Sequence, residues 1–178
     1  MRRPVDAERI RRFMRELGSE ADRGARLYFK GGATAVLLGW RPSTIAVDVK
    51  MEPELDRLFR AFPKIKEKLE INIELAAPDQ FIPALPGWEE RSTFIAQEGA
   101  LSFYHDDFYA QALSKIQRGH DQDRIDVREM IDRGLINRNE LRERFEQIES
   151  QLYRYPAIDP ATFRKALEAV ILLASEGE

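Results

Sequence analysis

The sequence predicts an α+β fold: a mixed sheet with flanking helices over residues 1–105, then a helical C-terminal part over residues 106–178 packed on it. Three observations carry this. Short runs that alternate apolar and polar residues, as half-buried strands do, fall before residue 105. From Asp107 to the end, apolar residues recur at helical spacing instead. Strands interleaved with helices, followed by helices alone, suit a sheet covered by helices and a second helical layer.

Each element has a local signal. Asp6 can cap a helix running to Leu17, with Ile10, Phe13, Met14 and Leu17 on one face and Gly18 as its stop. Leu27 to Lys30 reads as a strand entering Gly31-Gly32, Ala33 to Leu38 as a short apolar helix, and Ala46 to Met51 as the next strand. Pro53 suits the first position of a helix reaching Leu69, where its missing N–H is not needed, and Pro63 predicts a kink or split within it. INIELA, residues 71–76, alternates as a strand that Pro78 ends, and PALPGW, residues 83–88, is a loop anchored by Trp88. Thr93 to Ala96 and Ala100 to Phe103 flank the turn signal Glu98-Gly99 as a hairpin. Helices follow over Phe108 to Arg118, Gln122 to Asp132 (stopped at Gly134), Arg138 to Gln151 (capped by Asn137) and Pro160 to Ala174 (capped by Asp159).

Composition bounds the function. The 178 residues are 43% apolar and 33% charged with net charge −3, enough for a core and without a global footprint for nucleic acid. Absence of cysteine excludes disulfides and thiolate metal sites, and two histidines are too few for a histidine-based zinc site. No stretch approaches the roughly 18 apolar residues of a membrane span, and MRRPVDAERIRRF lacks the apolar run of a secretory signal, so a cytoplasmic location is expected. Arg2, Arg3, Arg11, Arg12 and Arg15 form a basic cluster that reads as a solvated face, with RNA contact as the functional alternative.

Two groups of residues can carry chemistry. In Tyr28 to Met51, the double glycine admits a bulky ligand close to the backbone because no Cβ blocks it, and N–H groups opening the following helix would favour phosphate. Asp48 and Glu74 lie on strands, each flanked by apolar residues; if the strands are neighbours, the carboxylates converge as a hard cation such as Mg²⁺ requires. Two solvent-facing acids are the plain alternative. Farther on, Lys115 and Arg118 share one helical face and Asp123 and Asp126 share the next, which gives a charge network with Lys115 left for phosphate, or simply salt bridges between helices. The aromatic run 103–109 reads first as core packing, with Tyr104 or His105 lining a base pocket as the functional alternative.

The order Gly31-Gly32, apolar helix, Arg41, Ser43-Thr44 and acidic strand resembles the signature of nucleotidyltransferases with the DNA-polymerase-β fold. Lys115, Arg118, Asp123 and Asp126 resemble the tail of the abortive-infection-type nucleotidyltransferase toxins. The resemblance spans residues 28–127 and implies Mg²⁺-dependent transfer of a nucleotidyl group from NTP to an RNA, protein or small-molecule hydroxyl, with an antitoxin as a partner. It implies triphosphate binding by Gly31, Gly32, Ser43, Thr44 and Arg118, metal binding by Asp48 and Glu74, a phosphate-neutralising Lys115, and supporting roles for Asp123 and Asp126. One departure stands out: where the family has the first acid of its D-x-D pair, Thr44-Ile-Ala-Val-Asp48 carries Ala46. A methyl cannot bridge two ions, and loss of one transition-state contact of this kind lowers the rate by roughly a hundredfold, about 3 kcal/mol. Ala46 therefore marks either an acid deliberately replaced or a natural member that binds nucleotide without turning it over.

Overall fold

The computed structural model describes residues 3–75 and 81–176, with side chains described to 173. Contacts group the chain into two units: Met1–Ala77 with Ser92–Asp106, and Pro78–Arg91 with Asp107–Glu178.

The first unit is a five-stranded mixed sheet with three helices. In chain order it contains α1 (Ala7–Glu20), β1 (Ala25–Lys30), α2 (Gly32–Leu38), β2 (Val47–Glu52), α3 (Asp56–Leu69), β3 (Ile73–Leu75), and the hairpin β4 (Thr93–Glu98) and β5 (Leu101–His105). The strand order is β3-β2-β1-β5-β4, with β1 antiparallel to β2 but parallel to β5, and β2 parallel to β3. Strand alternation sorts the side chains into two faces. Leu27, Phe29, Val47, Val49, Met51, Ile73, Leu101 and Phe103 join a core with Ile10, Phe13 and Leu17 of α1 and Leu58, Phe62 and Ile65 of α3. Each large side chain buried there contributes about 1.5–3 kcal/mol. The intervening positions, Tyr28, Lys30, Asp48, Lys50, Glu74 and Tyr104, share the reverse face.

Local signals hold at the caps and fail where a distant partner intervenes. Asp6 caps α1 by accepting the Arg9 N–H at 2.9 Å. Gly18 does not stop that helix, which continues to Glu20. A Cβ on Gly18 would stand 2.5 Å from the Glu98 carbonyl oxygen, and one on Gly99 2.7 Å from the Gly18 carbonyl oxygen, so this glycine lets α1 rest on the hairpin backbone. Pro53 stands outside α3, which opens at Asp56, and α3 passes Pro63 as one element because Leu58, Phe62, Ile65 and Leu69 bury the same face on both sides. β3 is shorter than the predicted strand, whose final residue and Pro78 lie outside the described residues.

In the second unit, α4 (Trp88–Arg91) adds a helical turn that begins at the last residue of the predicted loop. The buried anchors beside it are Ile82 and Leu85, while Trp88 is half-buried. α5 (Phe108–Arg118), α6 (Asp121–Asp132), α7 (Arg138–Glu149) and α8 (Pro160–Glu176) follow. Asp107, Asn137 and Asp159 accept N–H groups at the openings of α5, α7 and α8. Leu113, Leu141, Phe145 and Leu167 form a core in which Phe145 meets Phe163 edge-on at 4.9 Å. Among the described residues no helix is long and apolar enough to cross a membrane.

Candidate functional site

The reverse face of the sheet holds the first group of functional residues. After Lys30 the chain turns through Gly31 at φ 64°, and Gly32 opens α2. Three polar side chains close on these two bare α carbons. A Cβ on Gly31 would lie 3.0 Å from Oδ2 of Asp48; one on Gly32 would lie 2.0 Å from Oγ1 of Thr44 and 3.2 Å from a guanidinium nitrogen of Arg41. Thr44 is fixed from both sides. Its backbone exchanges hydrogen bonds with Val5 at 2.7 and 2.9 Å, and its hydroxyl donates to the Ala46 carbonyl at 3.1 Å. Ser43 is half-buried in the same loop.

Parallel pairing makes Asp48 and Glu74 Cα partners on neighbouring strands, so the two acids stand side by side on one face. Asp48 is half-buried and Glu74 exposed. Across β1, Lys30 is the partner of Asp48. Ala46 lies one residue before β2 begins, where the Val47 N–H donates to the Asn72 carbonyl at 2.8 Å. Among the described residues no three His, Cys, Asp or Glu side chains converge on a metal position. Asp48 and Glu74 suit one hydrated Mg²⁺ completed by phosphate oxygens, because this ion keeps much of its water and takes one or two carboxylates. They do not suit a bridged pair of ions, for which position 46 offers only a methyl.

Two residues of this face were missed by the sequence reading. Asn72 donates from Nδ2 to Oε1 of Glu74 at 3.3 Å and so orients that carboxylate. Lys50 is buried with its ammonium 5.7 Å from the Tyr28 ring centroid and 3.7 Å from Glu52, and Tyr28 stacks on Tyr104 at 5.3 Å. The same alternation that marked Asp48 and Glu74 places both. His105, by contrast, occupies the opposite phase from Tyr104 and turns toward the core, 3.1 Å from the Thr34 hydroxyl. Burial pushes its imidazole down to about 4, so it is neutral near pH 7.

The second group lies within the second unit and is linked by ion pairs, with Lys115 and Asp123 on the wall of a cavity between its helices. Lys115 Nζ donates to Asp126 Oδ2 at 2.7 Å and stands 3.7 Å from Asp123 Oδ1. Arg118 grips Asp123 with both edges of its fork, at 2.8 and 2.5 Å. The His120 N–H donates to Asp123 at 3.2 Å, and Gln122 donates to Asp126 at 3.1 Å. Lys115, Asp123 and Asp126 are each no more than 5% exposed. Burial pushes the Asp123 carboxyl up, but the Arg118 hydrogen bonds and the charges of Arg118 and Lys115 outweigh it and hold it below its ordinary range. The predicted charge network is present as helix–helix ion pairs, and Asp126 takes up the ammonium expected to meet phosphate.

The first unit is thus an α+β arrangement in which a mixed sheet sets a double-glycine turn against an acidic strand. The chain belongs to a family described as a nucleotidyltransferase of unknown function (DUF6036), matched over residues 8–165. That stretch contains both the glycine turn and the Lys115–Asp126 helices. Neither the curated proteins nor the solved structures contain a match to the chain.

Proposed function

We propose that this chain binds a nucleoside triphosphate on the Gly31-Gly32 turn and is a nucleotidyltransferase whose transfer step is impaired by Ala46. The observation that carries the reading is the approach of Asp48 Oδ2 to the Gly31 turn, 3.0 Å from where a Cβ would stand, with Glu74 in register beside Asp48. The two glycines let the Thr44 hydroxyl and the Asp48 carboxylate close on the turn, and phosphate oxygens would meet these groups and Ser43 at its edge. One Mg²⁺ between Asp48 and Glu74 would neutralise phosphate charge when bound. Asn72 holds the Glu74 carboxylate in its orientation. In the reaction an acceptor hydroxyl oxygen bonds to the α-phosphorus, the bond from that phosphorus to the bridging oxygen breaks, and pyrophosphate leaves with the electron pair. The acceptor proton needs a base, which the methyl at position 46 cannot supply. Lys115 and Arg118, which the resemblance assigns to phosphate, are paired with Asp126 and Asp123, and the reading does not call on them.

The test is Ala46→Asp, incubated with each labelled ribonucleoside triphosphate and with RNA, protein and small hydroxyl acceptors. Labelling is expected to rise by roughly a hundredfold over the unaltered chain, the size of one lost transition-state contact. Failure of every acceptor to label would overturn transfer. A second reading, a nucleotide-binding regulator without turnover, is favoured by Ala46 itself; it predicts nucleotide binding with no gain from Ala46→Asp. The toxin role and antitoxin partner implied by the resemblance belong to the acid-restored form, where growth arrest on expression is the readout.

A further inference from the structure

We infer that the site takes its triphosphate with fixed protein cations, Arg41 foremost, and binds it without a divalent ion. The inference rests on the nucleotide reading of the glycine turn and adds to it the residue that meets the phosphates.

Arg41 is built into the turn. Its backbone N–H, like those of Gly39 and Trp40, donates to the Ala35 carbonyl, at 3.3, 3.0 and 3.1 Å respectively, which ties this loop to the end of α2. From there the half-buried side chain reaches back so that its guanidinium lies against Gly32, with the Thr44 hydroxyl on the same α carbon and the Asp48 carboxylate on the adjacent one. A phosphate that approaches the backbone over these glycines meets that guanidinium. The group carries five N–H donors in a planar fork and stays charged at any working pH, so one edge can hold a protein acceptor while another takes phosphate oxygens.

The charge balance of the face points the same way. Three carboxylates on this face would put three negative charges in the path of a triphosphate and repel it. Here the first acid is Ala46, and the remaining pair, Asp48 and Glu74, has Lys30 as the cross-strand partner of Asp48 and Arg41 on the turn. With the buried Lys50 of the same face, two negative charges stand against three positive ones, so the triphosphate enters a site without excess negative charge. Divalent ion then adds to binding rather than permitting it.

The experiment measures equilibrium binding of each ribonucleoside triphosphate, by calorimetry or by fluorescence of a labelled nucleotide, in EDTA and in Mg²⁺. The unaltered chain is expected to bind in EDTA within about fivefold of its Mg²⁺ affinity. Arg41→Ala is expected to weaken binding in EDTA by about tenfold or more, the worth of a hydrogen-bonded pair to a charged group. Arg41→Lys restores only part of it, because a point charge lacks the fork. Ala46→Asp, with its added negative charge, makes binding depend on Mg²⁺. Melting curves of the variants that match the unaltered chain separate these effects from misfolding. Binding that requires Mg²⁺ in the unaltered chain, or Arg41→Ala that binds normally in EDTA, overturns the inference and leaves the nucleotide site standing. No binding of any nucleotide in either condition overturns both.

Discussion

Lys115, Asp123 and Asp126 are no more than 5% exposed; Lys115 hydrogen-bonds Asp126 and stands 3.7 Å from Asp123, with Arg118 closing the set from the surface. Asp48 and Glu74 are half-buried and exposed, and they share their face with bare glycine α carbons, a hydroxyl and a guanidinium. Both clusters contain two acids and neighbouring cations, yet burial separates them. A charge buried without a partner is strongly unfavourable, so the helical cluster must be complete within the protein. The sheet cluster remains near water and can leave part of its coordination to a ligand. Proximity of opposite charges thus marks structure in one unit and a candidate site in the other.

The sharpest break of this contrast is Asp126→Ala. It leaves the Lys115 ammonium buried with only Asp123, 3.7 Å away, and is expected to destabilise the chain by about 3–5 kcal/mol in urea or thermal unfolding. Asp48→Asn, at a half-buried position beside the glycine turn, is expected to cost less stability than Asp126→Ala while weakening nucleotide binding in Mg²⁺. Equal destabilisation by the two would mean that the sheet acids are structural as well.

Gly32→Ala acts on the other side of the comparison. Alanine in place of glycine favours a helix by up to about 1 kcal/mol, but the new Cβ would stand 2.0 Å from Thr44 Oγ1 and 2.7 Å from Thr44 Cβ. The loop must move, and overpacking of this kind costs about 1–3 kcal/mol. Nucleotide binding is expected to fall more than stability does, since the displaced Thr44 and Arg41 are the groups around the phosphates. A variant that is less stable but binds normally would detach the turn from the ligand.

How much of this was legible in the sequence follows from how local each cause is. The caps Asp6, Asn137 and Asp159 act within three residues, and all were readable. The helical spacing of Lys115, Arg118, Asp123 and Asp126 foretold their network, although it did not show how deeply three of them are buried. Alternation put Asp48 and Glu74 each on one face of its strand; only the parallel register of β2 with β3 makes them neighbours. Gly18 was misread because its reason, the Glu98 and Gly99 backbone, lies some 80 residues away in sequence. Arg41 was visible as part of a signature, but its guanidinium reaches Gly32 only because the loop folds back on α2, a closure that no local pattern encodes.

The smallest expected effect sharpens the helical cluster from its exposed edge. Arg118→Ala removes the two charge-assisted hydrogen bonds to Asp123, while Lys115 and the His120 N–H remain beside that carboxylate. Because Arg118 is 57% exposed, solvent screening discounts its contribution to about 1 kcal/mol near neutral pH. The pH dependence is more telling. Asp123 titrates below its ordinary value in the folded chain, so its contribution is present above the unfolded carboxyl's pKa and is lost as pH falls through the lower folded one. Without Arg118, burial is opposed less, the folded carboxyl titrates higher, and the acid-unfolding midpoint moves to higher pH. An acid limb that does not move in Arg118→Ala would mean that Lys115 and the backbone alone hold Asp123 ionised, and that the network is complete without its exposed arginine.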